Sequence, residues 1–329
     1  MRHTDIYTVQ DLLALPPPVW IIDHLLPQGL SILYGAPGSG KSFLALDWAL
    51  SVSEGVPWQD RAVAQGPVVY IAGEGGLGIR QRVLSWMIHR SLSDLKAAYF
   101  LLSPLYVREE GVVEEFLERL EDMGEGQGLW PRLIIVDTLS RSFGGAEENS
   151  SEAMVDFINR LDELAQEQGT SVLVVHHSNA AGNRERGHSS LRGAADAMFE
   201  VQAIAPQGAL QALTVRTEKQ KDSLPADPIY LATLVVEESL VLVSSGPPPP
   251  VVRGPAMPQM MTRPDMLTLL GSHADGLTLK EWQLATGVPR TTFRRRVRYL
   301  LRESLIYKDQ GRYAAMPTVV DLAIDDEDE

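Results

Sequence analysis

The stretch that most constrains this chain is Gly35-Ala36-Pro37-Gly38-Ser39-Gly40-Lys41-Ser42, which satisfies G-x-x-x-x-G-K-[ST] at every fixed position. Its flanks agree. Residues 30–34, Leu-Ser-Ile-Leu-Tyr, form a short β-rich apolar run, and residues 43–52 carry apolar side chains at helical spacing. Strand, glycine loop and helix together turn backbone N–H groups and a helix N-terminus toward one anion. Glycines let the backbone wrap a β-phosphate with no Cβ in the way. Lys41 is then expected to reach the β- and γ-phosphates and the Ser42 hydroxyl to ligate Mg²⁺, with Phe43 closing the binding stretch. A chain built this way is α/β and binds a nucleoside triphosphate.

At 329 residues there is room for one large core and a small second domain. A hydrophobic content of 44% and a charged content of 22% are those of an ordinary globular protein. No apolar run approaches the roughly 20 residues that a bilayer requires, and Met-Arg-His-Thr-Asp-Ile does not read as a signal peptide. With no cysteine there is no disulfide framework and no thiolate metal site. A cytoplasmic location without a membrane partner is expected. The net charge of −14 argues against a nonspecific DNA coat, but its distribution says more. Residues 1–245 carry 18 Lys/Arg against 32 Asp/Glu, residues 264–315 carry 9 against 5, and Asp321 to Glu329 carry six acids and no base. The pattern is an acidic body, a basic module and an acidic tail.

Residues 1–29 read as a lead-in. A short amphipathic piece, Val9 to Leu15, precedes three prolines and Val19-Trp20-Ile21-Ile22, which the prolines keep extended. Trp20 reads either as core or as a platform for a base. The body, residues 30–245, alternates apolar strands with helices, which indicates a mainly parallel sheet covered on both faces. Residues 66–72 form a buried strand running into Gly73-Glu74-Gly75-Gly76-Leu77-Gly78. That run also satisfies the dinucleotide pattern G-x-G-x-x-G, but the next apolar run ends in Ser-Pro where that pattern needs an acid. Glu74 instead falls at a strand's C-terminal tip, where open α/β sheets place their ligand crevice. It is either the carboxylate that orients a water on the γ-phosphate or a solvated loop acid.

A helix is predicted over 112–123. The run Arg132 to Asp137 then places four apolar residues before an acid, about 100 residues beyond the glycine loop. This is a Walker B strand, with Asp137 near Mg²⁺. A further helix is predicted over 152–168 and a buried strand over 170–178, with His176 and His177 at its tip. Neighbours on a strand point to opposite faces, so the pair reads as a hydrogen-bonding sensor rather than a metal site. The loop 179–190 carries Arg184 and Arg186 and is either a surface loop or a nucleic-acid contact. Residues 210–216 read as a strand leading into Lys219 and Lys221, which share one side if the segment is extended. Strands near 229–235 and 240–244 complete the body.

Residues 246–263 are a Pro-rich linker by composition. Beyond them come helices over 264–270 and 277–285, the second with Thr278 as N-cap, a Gly287-Val-Pro turn, a third helix over 290–303 and a hairpin over 307–313. This is a small C-terminal winged helix-turn-helix pattern spanning 264–315. Its third helix presents Arg290, Arg294, Arg295 and Arg298 for phosphate contact, with Phe293, Val297, Leu300 and Leu301 as the buried stripe. The module serves either DNA or a protein contact. Residues 316–329 form an acidic tail that is predicted to be disordered.

Several of these segments together resemble one family: the proline–Trp lead-in, residues 35–42, Glu74 at its strand tip, Ile134 to Arg141 with Glu148-Asn149-Ser150, Val174 to Ser178, and Ser190 to Asp196. They are similar to the RecA-like P-loop ATPases typified by the plasmid replicative helicase RepA, a group related to the DnaB helicases. The resemblance covers about residues 10–245. It implies a RecA-like P-loop NTPase core using ATP and Mg²⁺, with Lys41 and Ser42 on phosphate and metal and Asp137 at the metal. It also implies Glu74 as catalytic base and His177 or His176 as γ-phosphate sensor. A basic finger would come from the neighbouring subunit, with Lys219-Gln-Lys221 in place of the paired basic residues of the DnaB group. The loops after Asp137 and His177 correspond to those lining a DNA pore. Sites at subunit junctions imply a closed homo-oligomeric ring, here a hexamer.

The ATPase parts and the basic module point first to a DNA-dependent motor, a replicative-type helicase with single-stranded DNA in its ring and duplex DNA at the winged helix. A non-motor, an ATP-regulated DNA-binding switch acting in replication, recombination or transcription, is the other class. A KaiC-like kinase is a third.

Overall fold

A computed structural model of the chain describes residues 6–15, 17–74, 76–95, 97–123, 130–145, 147–166, 169–178, 189–205, 209–247, 261–288 and 290–316. The chain divides into two compact units, residues 1–248 and 249–329. In the first, helix α1 (Val9–Leu13) is closed by a capping box between Thr8 and Asp11 and buries none of its residues. Strands β1 (Trp20–Ile22) and β2 (Leu26–Pro27) pair antiparallel, with Ile21 and Ile22 buried and Trp20 half-buried against the His24 ring. Then come β3 (Leu30–Gly35), α2 (Lys41–Glu54), β4 (Val68–Ala72), α3 (Gly76–Arg90) and β5 (Ala98–Leu101). They are followed by α4 (Val112–Met123), β6 (Leu133–Asp137), α5 (Leu139–Ser142), α6 (Ser151–Gln166), β7 (Ser171–His177) and α7 (Ser190–Ala194). Strands β8 (Ala197–Ile204), β9 (Ala212–Gln220), β10 (Ile229–Val236) and β11 (Ser239–Ser244) end the unit.

Nine strands form one sheet in the order β11-β10-β9-β8-β3-β7-β6-β4-β5. From β8 to β5 every neighbour is parallel, and β9, β10 and β11 extend one edge antiparallel. This is the mainly parallel α/β sheet of a RecA-like P-loop core.

The pleat decides which helix covers which face, because successive side chains on a strand point to opposite sides. Leu33, Val68, Ile135 and Leu173 pack on one side with Leu44 and Trp48 of α2 and Trp86 of α3. Ile32, Ile71, Val136 and Val174 pack on the other with Phe116, Leu139, Phe157 and Leu191 of α4 to α7. Inside the first layer lies a buried carboxylate, Asp47 of α2. It accepts hydrogen bonds from the indole N–H groups of Trp58 and Trp86, each at 2.7 Å. Burial pushes this carboxyl above its usual range, and the two indoles act against that. The two bonds tie α2 to α3 and to the turn at Trp58.

The second unit comprises α8 (Arg263–Gly271), β12 (Leu277–Thr278), α9 (Leu279–Thr286), α10 (Arg290–Arg302), β13 (Ile306–Asp309) and β14 (Arg312–Ala315). Its three strands are antiparallel in the order β12-β14-β13. Thr278 caps α9 through a capping box with Glu281. The hairpin turns through Gln310 and Gly311, both at positive φ. Trp282, Phe293, Val297, Leu300 and Tyr313 fill the core. Leu301, expected in that stripe, is instead 39% exposed, because one residue past Leu300 the helix has turned by about 100°. Most of the expected linker, and the tail from residue 317, lie outside the described residues. Among the described residues no helix is long and apolar enough to cross a membrane.

Asp47→Leu would strand two buried indole donors, each costing about 1–3 kcal/mol when unsatisfied. Urea denaturation should show a loss of about 3 kcal/mol in all. An unchanged midpoint would mean that both indoles find other acceptors.

Candidate functional site

Two glycines shape the loop between β3 and α2. Gly40 precedes α2 with a left-handed backbone at φ 91°, and a Cβ there would stand 2.7 Å from Leu213 Cδ2. At Gly35 a Cβ would meet the Val201 carbonyl of β8 and the Ser39 hydroxyl. No larger residue fits either place without displacement. Lys41 opens α2, is buried, and donates to the carbonyls of Gly35 at 3.0 Å and Ala36 at 2.9 Å. Burial lowers its pKa, while the charges of Asp137 and Glu74 act the other way.

Strand parity brings the other groups here. Gly35 pairs with His177, and Ala72 pairs with Asp137. Asp137 shares its side with Leu133 and Ile135, and His177 with Leu173 and Val175, all packed in the α2 layer. His176 has the opposite parity and is 0% exposed. Of the two histidines left open by the sequence, His177 is therefore the one at the loop, with Nε2 4.0 Å from Glu74 Oε1. Glu74 stands just beyond β4. Its Oε1 accepts a hydrogen bond from Thr138 Oγ1 at 3.0 Å and lies 3.8 Å from Arg141 Nε. Asp137 is buried, and its Oδ2 accepts from the Tyr70 hydroxyl at 2.6 Å, while its Oδ1 is buried with no hydrogen-bond partner among the described residues. Burial pushes the Asp137 carboxyl up, and the hydroxyls of Tyr70 and then Ser42 pull it back. The Tyr70 phenol is raised well above its usual value by burial and then by the Asp137 charge, so it keeps its proton and remains the donor.

A buried ammonium on a glycine loop, with two carboxylates and an imidazole arriving from neighbouring strand ends, is a layout for a triphosphate. A family model for an AAA domain, AAA_25, matches residues 3–183, just over half of the chain. The chain belongs to the AAA_25 family. Its AAA domain is a P-loop ATPase domain, and β8 to β11 carry the same sheet on beyond the matched residues. Mg²⁺ fits the residues of this AAA domain. Asp137 Oδ1 is a hard oxygen without a hydrogen-bond partner among the described residues, and the Ser42 hydroxyl acts on the same carboxylate. Next to the loop, the Arg82 guanidinium lies 4.5 Å from the centre of the Phe43 ring. Both line an open pocket of about 560 Å³ with Gly78, Gln81 and Leu240.

Lys219 and Lys221 do not join the AAA domain's site within their own chain. Lys219 Nζ donates to the carbonyls of Arg192 at 2.6 Å and Gly193 at 3.1 Å. Lys221 Nζ donates to the Ala194 carbonyl at 3.1 Å and the Asp196 carboxylate at 2.9 Å. Strand β9 runs antiparallel to β8 and pairs Gln220 with Ala197, which puts both lysines at the end of the parallel strands away from the glycine loop. Arg184 and Arg186 lie outside the described residues. In the second unit, Arg290, Arg294, Arg295 and Arg298 are exposed on α10. Lys280 and Gln283 of α9 line a pocket of about 470 Å³ with Arg290 and Arg294. Arg296 turns inward to the Met261 carbonyl.

Tyr70, Thr138 and Arg82 belong to this neighbourhood although the sequence did not single them out. Tyr70 carried a signal, since a hydroxyl in a buried apolar strand needs a partner. Thr138 had only its place after Asp137, and nothing marked Arg82.

Burial, then the Lys41 charge, lowers the His177 pKa, with Glu74, Glu148 and Asp137 opposing. By NMR titration His177 should protonate below the ordinary histidine value of about 6.5. Lys41→Ala should raise that midpoint, because it removes a positive neighbour. A native midpoint at or above the ordinary value would contradict this geometry.

Proposed function

We propose that the chain is an ATP-hydrolysing, DNA-dependent ring motor, a replicative helicase of the RepA-like kind. The DNA dependence rests on one observation. Glu74 accepts a hydrogen bond from Thr138 and faces Arg141, and both lie in the segment leading out of Asp137 that the resemblance assigns to a DNA pore. A strand gripping that segment would act directly on the carboxylate that works on the γ-phosphate. In this reading the loop amides and Lys41 hold the β- and γ-phosphates of ATP, and Phe43 and Arg82 flank its base. Ser42 and Asp137 hold Mg²⁺, which supplies charge stabilisation at the phosphates. Glu74 takes a proton from the attacking water. His177, neutral at pH 7, hydrogen-bonds the γ-phosphate and passes its presence or loss to Glu74. Lys219 and Lys221, remote from their own loop, serve the site of a neighbouring subunit, which makes the assembly a head-to-tail ring, here a hexamer.

Glu74→Gln should lower the turnover of ATP by about 100-fold or more while ATP binding persists, and Lys41→Ala should abolish turnover. The native chain should displace a strand from forked DNA, and single-stranded DNA should raise its ATPase rate. Turnover indifferent to single-stranded DNA, with no displacement, would overturn the motor.

The second unit favours an alternative, an ATP-regulated DNA-binding protein of replication, recombination or transcription. Three helices and a closing hairpin support a winged-helix reading, and Arg290, Arg294 and Arg298 recur at four-residue spacing on one exposed face of α10. Replacing Arg294 and Arg298 with Ala should weaken duplex binding and reduce the slope of log K against log salt by about 2. Sequence-selective duplex binding without unwinding would decide for this alternative.

A further inference from the structure

Strand β4 consists of Val68, Val69, Ile71 and Ala72 around a single tyrosine. Tyr70 is 1% exposed, so its phenol oxygen enters the layer between sheet and α2 and must find a partner there. Parity sends Tyr70 to the α2 side, and its register partner on β6 is Ile135. Asp137, two residues further along β6, lies on the same side and one step nearer the glycine loop. The hydroxyl makes two approaches there, 2.6 Å to Asp137 Oδ2 and 3.5 Å to the Ser42 carbonyl. A phenol has one proton, and the short contact to a carboxylate takes it. The ring is braced independently, tilted against Phe100 at 6.1 Å between centroids.

The consequence for Asp137 is directional. With Oδ2 committed to Tyr70, the oxygen left for a further ligand is Oδ1, which is buried without a hydrogen-bond partner among the described residues. A bond to Oδ2 alone also stops the carboxylate from rotating about its own axis, so the remaining oxygen keeps one bearing. Residues that brace a metal-ligating carboxylate this way are typically worth 10–100-fold in metal affinity.

We propose that Tyr70 is a positioning residue for the divalent cation: its hydroxyl holds the Asp137 carboxylate so that Oδ1 faces the metal beside Ser42. This rests on the reading of Asp137 and Ser42 as the metal ligands. A tyrosine that merely satisfied its own hydroxyl in the core would leave metal affinity unmoved when the hydroxyl is removed.

Tyr70→Phe removes the hydroxyl and keeps the ring and its packing. Mn²⁺ is titrated by EPR into the full chain saturated with a non-hydrolysable ATP analogue, and the analogue's own affinity is measured in EDTA. The expected result is a loss of Mn²⁺ affinity on the order of 10-fold, with metal-free analogue binding unchanged. Asp137→Asn, run alongside, separates the two levels of the argument. If Asp137→Asn binds Mn²⁺ like the native chain, the ligand reading itself fails and takes the proposal with it. If Asp137→Asn loses Mn²⁺ while Tyr70→Phe keeps native affinity, the ligand reading stands and the role of Tyr70 is overturned. An equal loss of metal-free analogue binding in Tyr70→Phe also overturns it, since that marks a general loosening of the loop.

Discussion

Side chains on the parallel strands alternate between two layers, and the strand-borne groups at the glycine loop, Asp137 and His177, share the parity of the residues packed under α2. A slip of one residue in β6 would exchange Asp137 for Val136 on that side, and the same slip in β7 would exchange His177 for His176. What prevents the slip is apolar burial behind the site. Leu133 and Ile135 on β6, and Leu173 and Val175 on β7, are fully buried, each contributing about 1.5–3 kcal/mol relative to exposure. The few hydrogen bonds at the strand tips are worth less, at about 1 kcal/mol each. The core sets the register, and the chemistry follows from it.

At the tips themselves the charges depend on one another. Burial lowers the Lys41 pKa and raises that of Asp137; the charges of Asp137 and Glu74 oppose the first shift, and the hydroxyls of Tyr70 and Ser42, then the Arg82 charge, oppose the second. Lys41 in turn disfavours a charged His177. The loop is thus one electrostatic unit rather than a row of separate roles, and replacing any one of these groups alters the protonation balance of the rest.

Most of the sheet and half of the site were legible in the residues. The glycine pattern, the apolar run ending in Asp137 and the tip position of Glu74 each have a local signature, and so do the three C-terminal helices. What was not legible depends on how strands register. His176 and His177 read alike until a neighbouring strand shows which side is the site. Lys219 looked like a loop residue beyond its strand, but β9 runs on to Gln220, and only the antiparallel pairing with β8 reveals which end of the sheet it occupies. The tie between Asp47 and two tryptophans had no signature, because its partners lie 11 and 39 residues away. Leu301 was misplaced because it lies about 100° round the helix from Leu300, outside the buried stripe.

That buried tie has a mechanical side. Lys41 is the first residue of α2, and Glu74 lies just ahead of the start of α3. Asp47 pins these two helices together behind the site, well down α2 and close to the far end of α3. The start of α2, with Lys41, and the start of α3, with Glu74 just ahead of it, are therefore like the tips of a pair of tongs. The tie lies behind those tips, so sliding one helix along its length would break the 2.7 Å bond between Trp86 and Asp47 unless the other moved with it. The tie between the two helices is one indole and one carboxylate, and the second indole, Trp58, fastens the turn after α2 to the same carboxylate.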